Sequence, residues 1–489
     1  MNYRKHHKWF GIVFCFFLLM FAISGIVLNH RHMYGRINVS RSVLPVNYHF
    51  RNWNNGLLRG TLRIGKDSVL IYGAGGAFLT DNEAKTFMDF NQGLPIAADS
   101  RTLRNVVQTE SGKMFAVGQF DSYMLRAGRW ERLPIGTGTA KHNDIRFSDI
   151  TTKGDSVIVV GRDMLYVGLP PYASFKPIEL QTPTDYDARV SLFRTVWLMH
   201  NGQLLGILGR VALDVIGVIF IFLCLSGIAI WLLPKAMKRN VCRGIKPIFK
   251  HSFKWHERLG RKTFLILLFV TITGLALRPP LLIALAKIHT PRIPFTTLDT
   301  DNPWQDKLRA LRWDDDKQDW LLSTSDGFYS LKSLGDTPHK ESFGPPVSVM
   351  GINVLHKHST TGEWLVGSFS GIYSWNRNDS KLTDYITGEA CIEQSAIPFG
   401  KTAVSGFTQD LGSDIVCTYD KGTELIDQPS WMEPLPMSLW QLALEIHTGR
   451  IYTVLGTGSL FYIFIAGIVT LWVLWSGWEI RKKKKKNIT

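Results

Sequence analysis

The sequence predicts an integral membrane α+β protein: a four-transmembrane-helix bundle made of two repeated halves, with a large outer β-rich domain that reads as a six-bladed β-propeller split three and three. Three observations predict it. Four apolar runs are long enough to cross, or nearly cross, a bilayer. Histidine and glycine motifs around those runs recur at a fixed offset. The two long segments between runs alternate apolar residues around Gly turns with a period near 35 to 45 residues.

The first run, Trp9 to Asn29, has 21 residues without a charge, about 31 Å as a helix and so the depth of a bilayer core. It ends in "SGIVLNHRHMYGR", which offers no convincing cleavage site, so the segment is expected to be retained. The others are Val211 to Leu233, Thr263 to Leu277 and Ser459 to Trp478. The third is short and meets "RPP" at Arg278 to Pro280, which predicts a proline-bent exit and an interfacial "LLIALAKI". The resulting divisions are helix 1 (1–33), a first outer β-rich segment (34–198), helix 2 (199–234), a basic loop (235–262), helix 3 (263–290), a second outer segment (291–445), helix 4 (446–480) and a basic tail (481–489).

Charge sets the expected orientation. The N-terminus, the 234–262 connection and the tail hold 19 of the 56 Lys and Arg and only two acids, Glu257 and Glu479, so they carry +17 of a chain total of +16. These segments belong on the cytosolic side, with both termini, and the outer segments are close to neutral. A basic pI of this origin reports topology and attraction to anionic lipid, and calls for no nucleic acid.

The five cysteines are scattered: Cys15 and Cys224 in apolar runs, Cys242 in the basic loop, Cys391 and Cys417 in the second outer segment. Without C-x-x-C or C-x-x-C-H, neither a zinc ribbon nor covalently attached haem is supported. Spacing alone leaves a Cys391–Cys417 disulfide open.

The internal repeat is the most informative feature. "HKWFG" (His7 to Gly11) aligns with "HERLG" (His256 to Gly260), and Ser24–Gly25 with Thr273–Gly274, all at an offset of 249. "HNG" at His200 aligns with "HTG" at His447; in the following runs Gly217, Ser226 and Gly227 align with Gly467, Ser476 and Gly477 at an offset of 250. Each half thus brings one histidine to the inner level and one to the outer. Two neutral imidazoles facing each other across a bundle suit the axial positions of haem iron, and glycines let a flat macrocycle approach a backbone. The candidate ligands are therefore His7 and His256 for an inner haem b and His200 and His447 for an outer one. Gly11, Gly25, Gly260 and Gly274 are candidates for making room, although SG and TG pairs also serve as helix-packing positions. A lone interfacial histidine is ordinarily a solvated residue; repetition at matched positions is what favours ligation here. His30, at the outer end of the first run, is the substitute ligand.

These residues resemble a known family. "HKWFG" with "SG" in the first run, "MHNGQLLGILGR" before "SGIAIWL", "WHERLG" before "TG" and "IHTGR" before the final "SG" look like the PepSY-associated transmembrane proteins, which include inner-membrane reductases of ferric siderophores. The resemblance covers the four runs and their flanks, about a quarter of the chain. It implies b-type haem held by histidines in a bacterial inner membrane, a periplasmic domain, and an oxidoreductase that delivers electrons outward to a ferric siderophore or other ferric chelate in iron acquisition.

The outer segments lack obvious small PepSY modules. They show instead strand pairs such as "DSVLIYGAGGAFLT" and "EWLVGSFSGIYSWNRNDSKLTDY", three units in each segment, expected to join as one propeller over the bundle's outer mouth. "WDDDKQDW" (Trp313 to Trp320) and the pair His356 and His358 have the residue types to touch metal, but read better as an acidic surface turn and an ordinary strand end. No G-x-G-x-x-G opens a helix after a strand, so no nicotinamide or flavin site is expected; electrons would come from a quinol or a separate flavoprotein. A membrane-anchored sensor or binding propeller without haem is the competing reading. Transport is disfavoured because almost nothing ionisable lies at midplane.

Overall fold

The computed structural model describes all residues except Met1, 137–144, 239–244, 287, 347, 349–350, 392–401, 457 and 487–489. Its helices in chain order are α1 (Tyr3–Asn29), α2 (Arg31–Tyr34), α3 (Ala98–Arg101), α4 (Leu192–His200), α5 (Gly206–Lys238), α6 (Ile245–Lys262), α7 (Phe264–Ala276), α8 (Leu281–Ala286), α9 (Leu439–His447) and α10 (Gly458–Lys486). The chain divides into a helical unit, residues 1–34, 188–299 and 439–489, and a β-rich unit, residues 35–187 and 300–438.

In the helical unit α1, α5 and α10 are long and apolar enough to span a membrane. The third run does so only as a bent pair: α6 turns by 63° into α7 at Thr263. α1 packs on α5 and α10, α10 on α7, and α5 on α6. Many Leu, Ile, Val and Phe side chains on these helices remain exposed, Val13, Phe16, Val218 and Phe461 among them, which water would penalise and lipid tails accept.

The unit boundaries depart from the sequence divisions at α4 and α9. Each begins inside a stretch expected to be β-rich and runs two residues past its expected end, and both are nine-residue amphipathic helices, α4 packing on α7 and α8 and α9 on α1. Each is followed by a left-handed glycine, Gly202 (φ +76°) and Gly449 (φ +75°), which turns the chain into the next spanning helix. A Cβ at Gly202 would lie only 2.4 Å from the Gly209 carbonyl oxygen, so this turn needs glycine for space as well as for φ.

Among its described residues the β-rich unit contains six antiparallel sheets of consecutive strands. Five are four-stranded: sheet 1 (residues 60–89), sheet 2 (105–132), sheet 3 (147–178), sheet 4 (308–340) and sheet 5 (352–384); sheet 6 pairs Val404–Thr408 with Ile415–Thr418. Every stretch picked out by its alternation supplies part of one sheet. The last of the three units expected in the second outer segment, "SDIVCTYDKGTELI", yields one strand and an isolated bridge, Thr418 with Gly422, in place of a strand pair.

Alternation explains the packing. In the second strand of sheet 1, Val69 and Ile71 enter the core shared with sheet 6, while Leu70 and Tyr72 enter the core shared with sheet 2. Sheet 3 divides likewise, Val157 and Val159 toward sheet 2, Ile158 and Val160 toward sheet 4. Two further cores join sheet 4 to sheet 5 and sheet 5 to sheet 6, so the sheets pack in a closed circuit. A short pairing of Asn38–Val39 with Met437–Ser438 ties the first residues of the unit to its last.

The acidic motif does turn at the surface over 315–318, with Asp315 and Asp316 exposed, but its flanking aspartates do not face solvent. Asp314 and Asp319 are buried and bind Arg377 of sheet 5 at 2.6 and 2.9 Å, while Arg377 also reaches Glu341 at 2.6 Å. Trp364 Nε1 and Lys357 Nζ complete the shell of Asp314 at 3.0 and 2.9 Å. His358 is held by Asp414 at 2.8 Å, and His356 lies in the same sheet with its ring 5.7 Å from Phe407. Cys391 and Cys417 are both free thiols packed in different cores, so no disulfide joins them; Cys242 lies outside the described residues.

Two outcomes are expected. Arg377→Met leaves two buried carboxylates and the half-buried Glu341 around an apolar side chain and should cost the β-rich unit about 3–5 kcal/mol in denaturant unfolding followed by circular dichroism; a loss under 1 kcal/mol would show the network to be dispensable. Burial pushes the Asp314 carboxyl up, but hydrogen bonds from Lys357, Trp364 and Arg377 outweigh it and hold the group below its ordinary value. Its contribution is therefore present above the usual carboxylate pKa and lost as pH falls through the lower folded value. The melting temperature should hold steady down to about pH 4 and drop below it.

Candidate functional site

The helical unit brings the four repeat histidines together in two pairs. The rings of His7 and His256 lie 6.1 Å apart between centroids, and those of His200 and His447 also 6.1 Å apart. Within a pair the planes are inclined by 73° and 53° respectively. His7 comes from the first turns of α1 and His256 from the last turns of α6; His200 and His447 end α4 and α9.

Every one of these rings is held through Nδ1 by a Ser-Gly or Thr-Gly pair on another helix. His7 Nδ1 lies 2.9 Å from the Val473 carbonyl and 3.5 Å from Ser476 Oγ. His200 Nδ1 lies 3.1 Å from the Val270 carbonyl and 3.2 Å from Thr273 Oγ1. His256 Nδ1 meets Ser226 Oγ at 2.9 Å, and His447 Nδ1 meets Ser24 Oγ at 3.0 Å.

These contacts fix the tautomer. All four hydroxyls already donate to their own helix: Ser24 to Met20, Ser226 to Phe222, Thr273 to Phe269, Ser476 to Val473. With its proton committed, each oxygen can only accept, as a carbonyl can only accept, so Nδ1 must be the protonated nitrogen. Nε2 is left with its lone pair, and none of the four Nε2 atoms makes a hydrogen bond to a described residue. This is the arrangement by which a second-shell acceptor orients an imidazole for a metal.

The glycines divide by role. A Cβ at Gly25 would stand 3.5 Å from His447 Cε1, and one at Gly274 only 2.9 Å from His200 Cε1. The inner rings rest instead on Gly227, 3.5 Å from His256 Cε1, and Gly477, 2.9 Å from His7 Cε1. Gly11 and Gly260 seat no histidine: a Cβ at Gly11 meets nothing within 4 Å, and one at Gly260 only Leu223 at 3.7 Å. Gly217 and Gly467 are helix-packing positions, against Ile26 and Leu275.

His30 does not face either pair. Its Nε2 lies 2.8 Å from Asp214 Oδ2, and Asn29 donates to the other oxygen at 2.9 Å. The residues that sequence reading left out of the site are the hydroxyls Ser24, Ser226, Thr273 and Ser476 and the glycines Gly227 and Gly477. Their signal was present: the spanning runs hold four Ser/Thr-Gly pairs at repeat-related positions, one for each histidine.

Fold and site together define a membrane protein built of two repeated halves around paired histidines. The sequence pattern of the PepSY-associated TM region matches residues 2–233 and again residues 187–480, and the chain belongs to that family. No curated protein matches it. Among solved structures, the extracellular domain of a hybrid two-component system from B. thetaiotaomicron is similar at 10% identity and a TM-score of 0.34, over 76% of this chain and 39% of that one. A second structure from the same organism, described as the extracellular domain of a one-component system, matches at 10% identity and a TM-score of 0.32, over 76% of this chain and 40% of that one. The chain thus spans about two fifths of the length of these structures.

The glycine contacts give a graded expectation. Gly274→Ala and Gly477→Ala place a methyl closer to an imidazole than packing tolerates, and should lower the melting temperature of the purified protein in detergent by several degrees, whereas Gly25→Ala and Gly227→Ala should leave it within about one degree. Equal effects from all four would contradict the seating of the rings.

Proposed function

We propose that the chain is a haem b electron-transfer protein of a bacterial inner membrane that carries electrons outward across the bilayer and reduces a ferric chelate, in the best fit a ferric siderophore, on the periplasmic side. The single observation that carries this reading is the matched pair of imidazole pairs, each 6.1 Å between ring centres and each with Nδ1 occupied. Imidazoles at this separation, with Nδ1 engaged and Nε2 uncommitted, would be suited to hold haem iron between them. Haem, when bound, supplies reversible one-electron chemistry.

The chain's own residues do the rest. Ser24, Thr273, Ser226 and Ser476 hold the imidazoles in the binding tautomer, and Gly25, Gly274, Gly227 and Gly477 let the rings lie against helix backbones. His7 and the Ser24–Gly25 seat of His447 lie on the same helix, 17 to 18 residues apart, about 26 Å along its axis and so near the two faces of a hydrocarbon core. Between them Leu18, Cys15 and Cys224, with Phe14, Phe21 and Phe220, form a dry seam that keeps dielectric and solvent access low.

We read α1, α5, α10 and the α6–α7 pair as a four-helix bundle, with both termini cytosolic on the charge evidence, and the six sheets as blades of one β-propeller split three and three. The support for the propeller is the closed circuit of inter-sheet cores. The donor is a separate quinol or flavoprotein. A ferric chelate of hard oxygen donors releases its metal more readily once the ion is reduced.

The expected result on protein made with ample haem is two haems b per chain by pyridine haemochrome assay. His447→Ala or His200→Ala should reduce this to one, as should His7→Ala or His256→Ala, while His30→Ala should leave two. Absence of haem from the wild type would overturn the reading and leave a membrane-anchored β-domain with a binding or sensing role.

A further inference from the structure

One position breaks the repeat in charge. The offset that carries His7 onto His256, and Ser24–Gly25 onto Thr273–Gly274, carries Asn29 onto Arg278. At the end of α1, Asn29 and His30 are both engaged by Asp214, so the polar groups there answer one another. Just beyond α7, the Arg278 guanidinium makes one long hydrogen bond, Nη2 to the carbonyl of His447 at 3.4 Å. Among the described residues it meets no carboxylate. The neighbouring Arg450 is already held by Glu445, Nε and Nη2 donating at 2.9 and 2.7 Å.

Arg278 therefore stands beside the outer histidine pair with most of its donor fork uncommitted. Through the His447 carbonyl it sits at the outer pair, whose rings are 6.1 Å apart. A partly buried cation in a weakly screened site is costly unless an anion answers it. A guanidinium is also the side chain best shaped to receive a carboxylate through paired hydrogen bonds.

We propose that Arg278 is the anion anchor of the outer site: it would receive a carboxylate of the haem that His200 and His447 would hold, and its fixed charge would raise the reduction potential of that site. This rests on the haem reading given above. Reduction adds one negative charge, which a nearby cation stabilises, so net charge around a cofactor is one of the levers that moves its potential.

The test is an anaerobic redox titration of the full-length, haem-loaded protein, followed in the visible spectrum, for wild type, Arg278→Gln and Arg278→Lys. His7→Ala, which retains the outer site, identifies which of the two potentials is the outer one. In Arg278→Gln the outer potential should fall by at least the equivalent of a tenfold change in reduced-to-oxidised ratio at fixed poise, about 59 mV for one electron, or the outer haem should be lost while the inner remains. Arg278→Lys should retain both haems and most of the outer potential. The inference is overturned if Arg278→Gln matches wild type in haem content and in both potentials, or if Arg278→Lys is damaged as much as Arg278→Gln, which would make the role one of packing. Wild type without haem would bring down the underlying reading as well, whereas wild type with two haems and an indifferent Arg278 would remove this inference alone.

Discussion

The hydrogen bond between a histidine Nδ1–H and an acceptor on a different helix is the interaction on which the helical unit depends. It occurs four times, each time with the hydroxyl or carbonyl of a Ser-Gly or Thr-Gly segment. Each bond fixes at once the tautomer, the ring orientation and the approach of two helices. An imidazole buried among apolar side chains without such a partner would leave a polar nitrogen unanswered, at a cost of about 1–3 kcal/mol. The glycine beside each hydroxyl matters for the same reason, because the ring must lie almost against the backbone for Nδ1 to reach its acceptor.

Duplication explains why the site comes in two levels. Helix 1 and helix 3 supply an inner histidine near one end and an outer seat near the other; α5 and α10 supply the inner seats, and α4 and α9 the outer histidines. One ancestral half would thus contain both a donor and an acceptor of this bond but could not close it within itself. All four bonds cross between the halves: His7 is seated by α10 and His200 by α7, His256 by α5 and His447 by α1. The bundle is held together by residues that each half lends to the other.

How much of this was legible depends on the range of the interaction. The four spanning runs, their bent third member and the strand pairs follow from local patterns that recur within a few residues, and these were readable. So was the offset that singles out His7, His256, His200 and His447. Which helix crosses which was not, since spacing along one helix says nothing about its neighbour, and the hydroxyls opposite the histidines were missed for that reason. α4 and α9 were hidden inside segments whose strand signal dominated, although "LFRTVWLMH" and "LWQLALEIH" carry a helical period. The Arg377 network joins residues far apart in sequence on two sheets; an acidic run seen alone reads as a solvated turn, and only the packing of sheet 4 on sheet 5 makes it a buried staple.

We propose that the two histidine pairs, each with Nδ1 occupied and Nε2 free, would hold haem between their rings. Low-temperature electron paramagnetic resonance of the oxidised, purified protein tests it most directly, because the signal reports the axial ligands themselves. Two low-spin ferric signals characteristic of bis-imidazole ligation, accounting for all the haem present, are the predicted result. A high-spin signal as the main species, or haem with a single imidazole ligand, would contradict the account even if the protein carried haem.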